Sequence, residues 1–457
     1  MSPVATAAQD PPRELDRHFR RAVWVLAGLI AVAAAIVYAG KAADDRSAFI
    51  RWRPQVQEFW RGINIYDTRF FPNPPILPIF LSPFTALPPV TGAMCWFILK
   101  VALAAASVLI CFRMVRAADQ PPPSWFQAGV LVFCLRPFLG DLHHGNNNLV
   151  ILFLIVVALE AWRRGHDVLA GLVLALGISF KVTPALFVVY FLFRGSFRMV
   201  GATVLGVGVF LLIVPSLMIG PAFNAECLGA WWHHMLSPFL TDGASSPQEM
   251  NQSMVGVLTR LLTDTDTGDG RYDVHLDLNL VSWSPTTARL WIKGLSVGFV
   301  GLLAVLCRTR TERRDDPRLL GEFALVVLTM LFLSERSWKH HFVTLLLPYT
   351  YLMWQFTDPP IRLRGRIALS AAMWTSVFLM ATTSTELGGA FGRGQGHKIA
   401  QGYGMFFWAA LLLYVTTAWR VWADRRRRTD PAPRDRAWTA VPAPHCFEGR
   451  RTAKPPA

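Results

Sequence analysis

Apolar runs of roughly 16–22 residues recur along almost the whole chain, and each is long enough to cross a bilayer as a helix. Hydropathy and length place spans at 22–40, 91–112, 124–139, 147–162, 168–181, 183–193, 199–219, 288–307, 319–334, 341–356, 367–383 and 403–421. The pattern predicts an all-α polytopic membrane protein. The pair 168–181 and 183–193 is short and reads as a kinked hairpin with Pro184 at its bend. Segment 76–88 is apolar but too short and proline-rich to cross alone, so a re-entrant or interfacial path is expected. One stretch breaks the pattern. Residues 41–75, "KAADDRSAFIRWRPQVQEFWRGINIYDTRFFPNPP", follow the first apolar run and are crowded with arginine, carboxylate and tryptophan.

Within that stretch Phe49, Trp52, Val56, Phe59 and Trp60 recur at helical spacing, with Arg51, Arg53, Gln55, Gln57 and Arg61 between them. This predicts an amphipathic helix closed by Gly62 in a left-handed cap, with Pro54 as a kink or second start. Lying at headgroup level, such a helix would anchor through tryptophan and meet phosphate through arginine.

Charge then orients the spans. The chain of 457 residues carries +15, and nucleic acid is the wrong explanation, because cytoplasmic loops of membrane proteins collect Lys and Arg. Arg113 and Arg116, Arg163 and Arg164, Arg194 and Arg198, the run from Arg308 to Arg318, Arg362 to Arg366, and Arg425 to Arg428 all fall on one side. An even number of spans puts both termini there. Loops 41–75, 140–146, 220–287, 334–340 and 383–401 fall on the other, extracytoplasmic side. Residues 1–21 read as a cytoplasmic N-terminus followed by a retained anchor, 22–422 as the membrane domain, and 423–457 as a basic, proline-rich disordered tail. The six cysteines are scattered and suggest neither a disulfide framework nor a metal site.

The polar motifs gather on the outer side. Lys41, Arg46, Arg51, Arg53, Arg61 and Arg69 lie in 41–75 against the positive-inside bias. An anionic group at the membrane surface would keep them there, since forked guanidinium donors match phosphate. Asp44, Asp45, Glu58 and Asp67 share the loop, and a carboxylate beside such a cluster suits a general base. "GDLHHGNNNLVILF" (140–153) crowds Asp141, His143, His144, Asn146, Asn147 and Asn148 into a short turn. Helix capping uses one of those asparagines and leaves two histidines unexplained. "GISFKVTPALF" (177–187) sets Lys181 between apolar runs, where either function or snorkelling can hold it. "WWHHMLSPFL" (231–240) and "NQSMVGVLTR" (251–260) follow in the long loop, the latter with Asn251 and Arg260. The aspartates of 264–277 fail calcium-loop spacing and read as a solvated loop. "LSERSWKHHFVTLLLP" (333–348) brings Glu335, Arg336, Lys339, His340 and His341 to one junction. Adjacent histidines point apart on a helix and no third ligand is placed, so phosphate or sugar contact is favoured over zinc.

Together, "GINIYDTRFFPNPP", the turn 145–148, Ala170–Gly171 with Lys181 and Pro184, Asn251–Ser253 with Arg260, and Ser337–His341 with Pro348 resemble glycosyltransferase family 87, within the GT-C superfamily. The resemblance runs to about residue 422. It implies a GT-C-like fold with its site on the outer face, a polyprenyl-phosphate sugar donor such as mannose or a related sugar, and a glycan or glycolipid acceptor. It implies a base from the first outer loop, here Asp44 or Asp45, and donor-phosphate contact by His340 or His341. Ala48 stands near the family's usual aspartate and Asn146 replaces its usual glutamine, which makes Asp141 a rival base. Arg51, Arg53, Arg61, His143, His144, Asn148, Lys181, Asn251, Arg260 and Lys339 complete the expected donor-phosphate or sugar contacts. No cofactor is implied, and a divalent metal is left open. The alternatives are a transporter or flippase of an anionic lipid or glycan, and another membrane glycan ligase or polymerase.

Overall fold

The computed structural model describes residues 11–116, 121–241, 246–267, 278–308, 313–357, 361–390 and 395–425. The expected disordered tail lies outside these beyond residue 425, as does most of the aspartate-rich stretch 264–277. The protein is helical throughout the described residues, with no strand among them. Five helices there are long and apolar enough to cross a membrane: Glu14–Ala43, Pro89–Met114, Phe197–Ile219, Pro285–Cys307 and Met405–Arg425. Shorter apolar helices, among them Asp167–Phe180 and Leu319–Leu333, complete the bundle. This is a polytopic membrane protein.

Burial sorts the helices into layers. Every residue from Leu319 to Phe332 is buried, and helices Asn148–Arg163 and Leu346–Gln355 are almost as enclosed. These form the centre. The first helix, Phe197–Ile219 and Pro285–Cys307 stay apolar but expose large side chains, with Leu217 81% and Leu205 73% exposed. A helix that is apolar on every side and still uncovered by protein is suited to lipid contact. Small residues set the closest approach. A Cβ on Gly171 would come 2.5 Å from the Met199 carbonyl, and one on Gly206 would come 2.6 Å from Ala175 Cβ. Helices Asp167–Phe180 and Phe197–Gly208 therefore pack backbone to backbone, the usual device where lipid removes the hydrophobic drive between helices.

The first loop folds as expected in part. Ser47 caps helix Ala48–Trp60 by accepting from the Ile50 amide (3.2 Å), and Gly62 closes it at φ 78°. Pro54 sits inside and does not end it. Phe49, Trp52, Val56 and Phe59 are buried against the protein, with Phe49 stacked on Trp96 at 6.3 Å, while Trp60 projects outward. Segment Ile76–Thr85 is helical and holds that helix in place: Arg53 donates to the Leu87 carbonyl and Gln57 to the Thr85 carbonyl.

The long loop locks onto the connector that follows the central helix Leu319–Leu333. Asn251 Nδ2 donates to the carbonyls of Ser246 and Glu335 (both 2.9 Å), while its Oδ1 accepts from the amides of Ser253 and Ser337 (both 3.0 Å). Arg260, 1% exposed, spends its guanidinium on the carbonyls of Gly402, Pro247, Gln248 and Asn251. These bonds explain the spacing of Asn251 and Arg260, two turns and a half of chain that fold back on one carbonyl. Arg260→Met should leave those carbonyls buried without donors and lower unfolding stability by about 3 kcal/mol. A fall in the thermal midpoint of the detergent-solubilised protein checks this, and an unchanged midpoint would refute the lock.

Candidate functional site

The site is built where four distant segments meet: the start of the first loop, the end of helix Ser124–His144, the break after Phe180, and the connector 334–341. Helix Ser124–His144 must stop sharply to deliver its histidines. Gly145 does this at φ 77°, its N–H donating to the Asp141 carbonyl (3.0 Å). A Cβ there would lie 2.7 Å from the Tyr38 hydroxyl, so the first helix also requires glycine. The next helix starts at Asn148, whose side chain points into the bundle and does not cap.

A fully buried ion pair anchors this turn. Lys100, from the middle of helix Pro89–Met114, donates to the Asp141 carbonyl (2.8 Å) and faces its carboxylate at 3.3 Å, and neither side chain is exposed. Asp141 Oδ1 accepts from Asn148 Nδ2 (3.0 Å), and Asn148 Oδ1 accepts from Lys181 Nζ (2.8 Å). Lys181 Nζ also lies 2.8 Å from His341 Nε2, and the Trp338 amide donates to His341 Nδ1 (3.3 Å). Each link satisfies a polar group that burial would otherwise penalise. Lys181 is free to reach inward because helix Asp167–Phe180 ends there in an extended residue. Asn73 fixes that break by donating to the Phe180 carbonyl (2.8 Å). A cavity of about 20 Å³, roomy enough for a water-sized group, touches Asn148, Lys181, His341, Ser334 and Ser337.

Beside this chain the imidazoles stack. His144 and His340 lie ring on ring at 4.4 Å, His340 and His341 edge to face at 4.9 Å, and Asn146 Nδ2 sits 3.1 Å from His340 Nε2. The charge of Arg51 acts on His144 from the first-loop helix. Burial, then the neighbouring histidines and lysines, hold His340 well below the usual imidazole range. Burial likewise pushes the Lys339 ammonium down to about 7, with Arg136 and Lys41 adding to it and Glu386 opposing. Lys339 and Arg136 both donate to the Thr383 carbonyl at 3.5 Å.

The structure therefore brings together Arg51, His143, His144, Asn148, Lys181, Lys339, His340 and His341 with Asp141. It takes Arg53 to the Leu87 carbonyl, leaves Arg61 exposed at the end of its helix, and puts Asn251 and Arg260 into the loop lock. Asp141 lies among those residues, but its carboxylate already engages Lys100 and Asn148. Asp44 is exposed and paired with Arg46 (2.6 Å). Asp45 is exposed and holds a left-handed backbone at φ 55°, a conformation uncommon outside glycine. Among the described residues no group of three His, Cys, Asp or Glu side chains is placed to hold a metal ion.

This arrangement can hold an anion among imidazoles and amines at the end of a membrane bundle. The model of glycosyltransferase family 87 matches residues 70–335, more than half of the chain. The chain belongs to that family. Family 87 membership makes it a membrane glycosyltransferase. The matched stretch includes Lys100, Asp141, Asn148 and Lys181 and stops short of Lys339–His341 and the first-loop aspartates. Two curated relatives share about a quarter of their residues with it. One, 26% identical over 69% of this chain and 68% of its own length, is the polyprenol-phosphate-mannose-dependent alpha-(1-2)-phosphatidylinositol mannoside mannosyltransferase of Mycobacterium tuberculosis. The other, 25% identical over 65% of this chain and 63% of its own length, is the corresponding pentamannoside mannosyltransferase of Mycolicibacterium smegmatis.

Sequence reasoning passed over Lys100, Arg136, Thr383 and Glu386. A lone lysine inside a 26-residue apolar helix is the signal that would have found the first. Two outcomes follow for this cluster. Asp141→Asn should strand Lys100 and destabilise by about 3–5 kcal/mol, whereas Asp141→Asn with Lys100→Met should recover most of it. Thermal unfolding of the two single variants and the double variant measures the coupling. For Lys339, the folded protein binds fewer protons than the unfolded chain between pH about 7 and the ordinary lysine value of 10.5. Its contribution to stability therefore rises with pH across that window, and Lys339→Met should flatten the rise in a pH series of unfolding midpoints.

Proposed function

We propose that the protein transfers mannose or a related sugar from a polyprenyl phosphate to a glycan or glycolipid acceptor on the extracytoplasmic face of the plasma membrane. The convergence of His144, His340, His341 and Lys181 on one buried spot carries this reading, together with family membership and the donors that the relatives' names state. The leaving group is a lipid phosphate. Amines and imidazole N–H groups held in place before the reaction stabilise the charge it gathers as the C1–O bond breaks. Lys181 and His341 are assigned to that phosphate, with His340 and His144 beside them and Arg51 at the membrane surface. Asn148 aligns Lys181.

The acceptor hydroxyl attacks C1 from the face opposite the phosphate, with inversion, and its proton passes to a carboxylate. Asp45 is assigned as that base. It is exposed and lies at the mouth of the first loop, where its left-handed backbone closes the first helix. Asp44 is tied to Arg46 and Asp141 to Lys100, which suits both to positioning. In this reading the bundle crosses the bilayer about 12 times, as a domain over 22–422 with a first-loop helix against the outer leaflet. The termini 1–21 and 423–457 are cytoplasmic.

Membranes holding the protein, given labelled polyprenyl-phosphate mannose and glycolipid acceptors, should form a covalent glycosylated product. His341→Ala and Lys181→Met should each lower kcat by roughly 10²–10³-fold, and Asp45→Asn by at least about 10²-fold. Undiminished transfer by Asp45→Asn would remove the base assignment. Movement of the donor across the bilayer without product would turn the reading toward transport. Reporter fusions after Arg164 and Arg425 should report the cytoplasm and one within 62–75 the outside.

A further inference from the structure

Not all the cations at this end of the bundle are used by a single lipid phosphate. Lys181 and His341 form one group, joined through Asn148 to Asp141. A second group gathers on the other flank of His144. Arg136 and Lys339 converge on the same Thr383 carbonyl, the charge of Lys41 at the end of the first helix acts on both Lys339 and His143, and the exposed Glu386 carboxylate opposes it. Glu386 also engages the Thr385 hydroxyl (3.0 Å). His143 Nε2 and Arg136 Nε are buried without a hydrogen-bond partner. Arg136 and Lys339 half-buried on one neutral carbonyl repel each other and feel the charge of Lys41, and the buried polar atoms without partners add a desolvation cost. An anion removes both penalties.

Resting on the glycosyltransferase reading above, we propose that Arg136, Lys41 and Lys339 form a second anion site, which takes a phosphate or phosphodiester belonging to the acceptor. The donor's phosphate is already served by Lys181 and His341. Inversion at C1 requires the attacking hydroxyl to come from the side away from that phosphate, so an acceptor anchored in the same leaflet must be held by a separate group. The site thus selects acceptors built on an anionic lipid over neutral glycolipids carrying the same glycan.

The test uses the full-length protein in nanodiscs, polyprenyl-phosphate mannose as donor, and two acceptors with one glycan, joined either to a phosphodiester lipid or to a neutral one. Arg136→Met and, separately, Lys41→Met should raise KM for the phosphodiester acceptor by about tenfold or more, the loss expected for one charge-assisted bond. KM for the neutral acceptor and for the donor should stay within about twofold of the parent. A matching rise in donor KM would assign the cluster to the donor and overturn the proposal, as would equal losses with both acceptors. A measurement without donor separates this from failure of the transfer reading. A short-chain phosphodiester glycolipid should raise the thermal midpoint of the parent and not that of Arg136→Met. An equal shift in both would overturn the second site even where transfer succeeds, and its loss in the variant would uphold the site even where no transfer is seen.

Discussion

The buried pair of Lys100 and Asp141 is the constraint on which the site depends. Neither charge could remain in the bundle alone, and their attraction offsets desolvation only because the remaining lone pairs are also satisfied. The Asp141 carboxylate is completed by Asn148, Asn148 by Lys181, and Lys181 by His341. The pair therefore does more than hold two helices together. It sets the register of the turn at Gly145, and through that turn the position of an amine and an imidazole more than 150 residues apart in the chain.

A second constraint works from the opposite direction. The connector 334–341 has little regular structure of its own before the tight 3₁₀ turn Lys339–Leu345. Irregular backbone at the end of a membrane bundle needs partners for its amides and carbonyls. Asn251, Gln252 and Ser253 supply them, and Arg260 holds that segment in turn. Histidines 340 and 341 are thus located by a polar lock some eighty residues earlier in sequence. The lock is structural in its contacts and decisive for the site in its effect.

Electrostatically the site favours an anion. His340 is held back from protonation by burial and by like neighbours, so it gains a proton most readily when an anion arrives. A phosphate-leaving reaction uses that arrangement well, since the groups that resist charge at rest are those that stabilise it as the bond breaks.

The amino-acid pattern alone determined that this is a helical membrane protein, because bilayer thickness imposes a run length that nothing else in the chain resembles. The motifs also carried the family, and Gly62, Gly145, Lys181 and the histidine pairs were visible by type and spacing. Tertiary structure decided their roles. Asn251 and Arg260 look like ligand residues in sequence and serve backbone carbonyls in the fold, because a buried carbonyl and a phosphate oxygen call for the same donors. Arg53 and Arg61 follow Arg51 along the same stretch, yet Arg53 is taken up by the Leu87 carbonyl, Arg61 is exposed, and the charge of Arg51 is the one that acts on His144. Asp141 and the first-loop aspartates carry the same side chain, and burial alone separates them. Lys100 was one lysine in an apolar run until the fold set it against Asp141, because partner choice across helices depends on distances that a linear pattern does not contain.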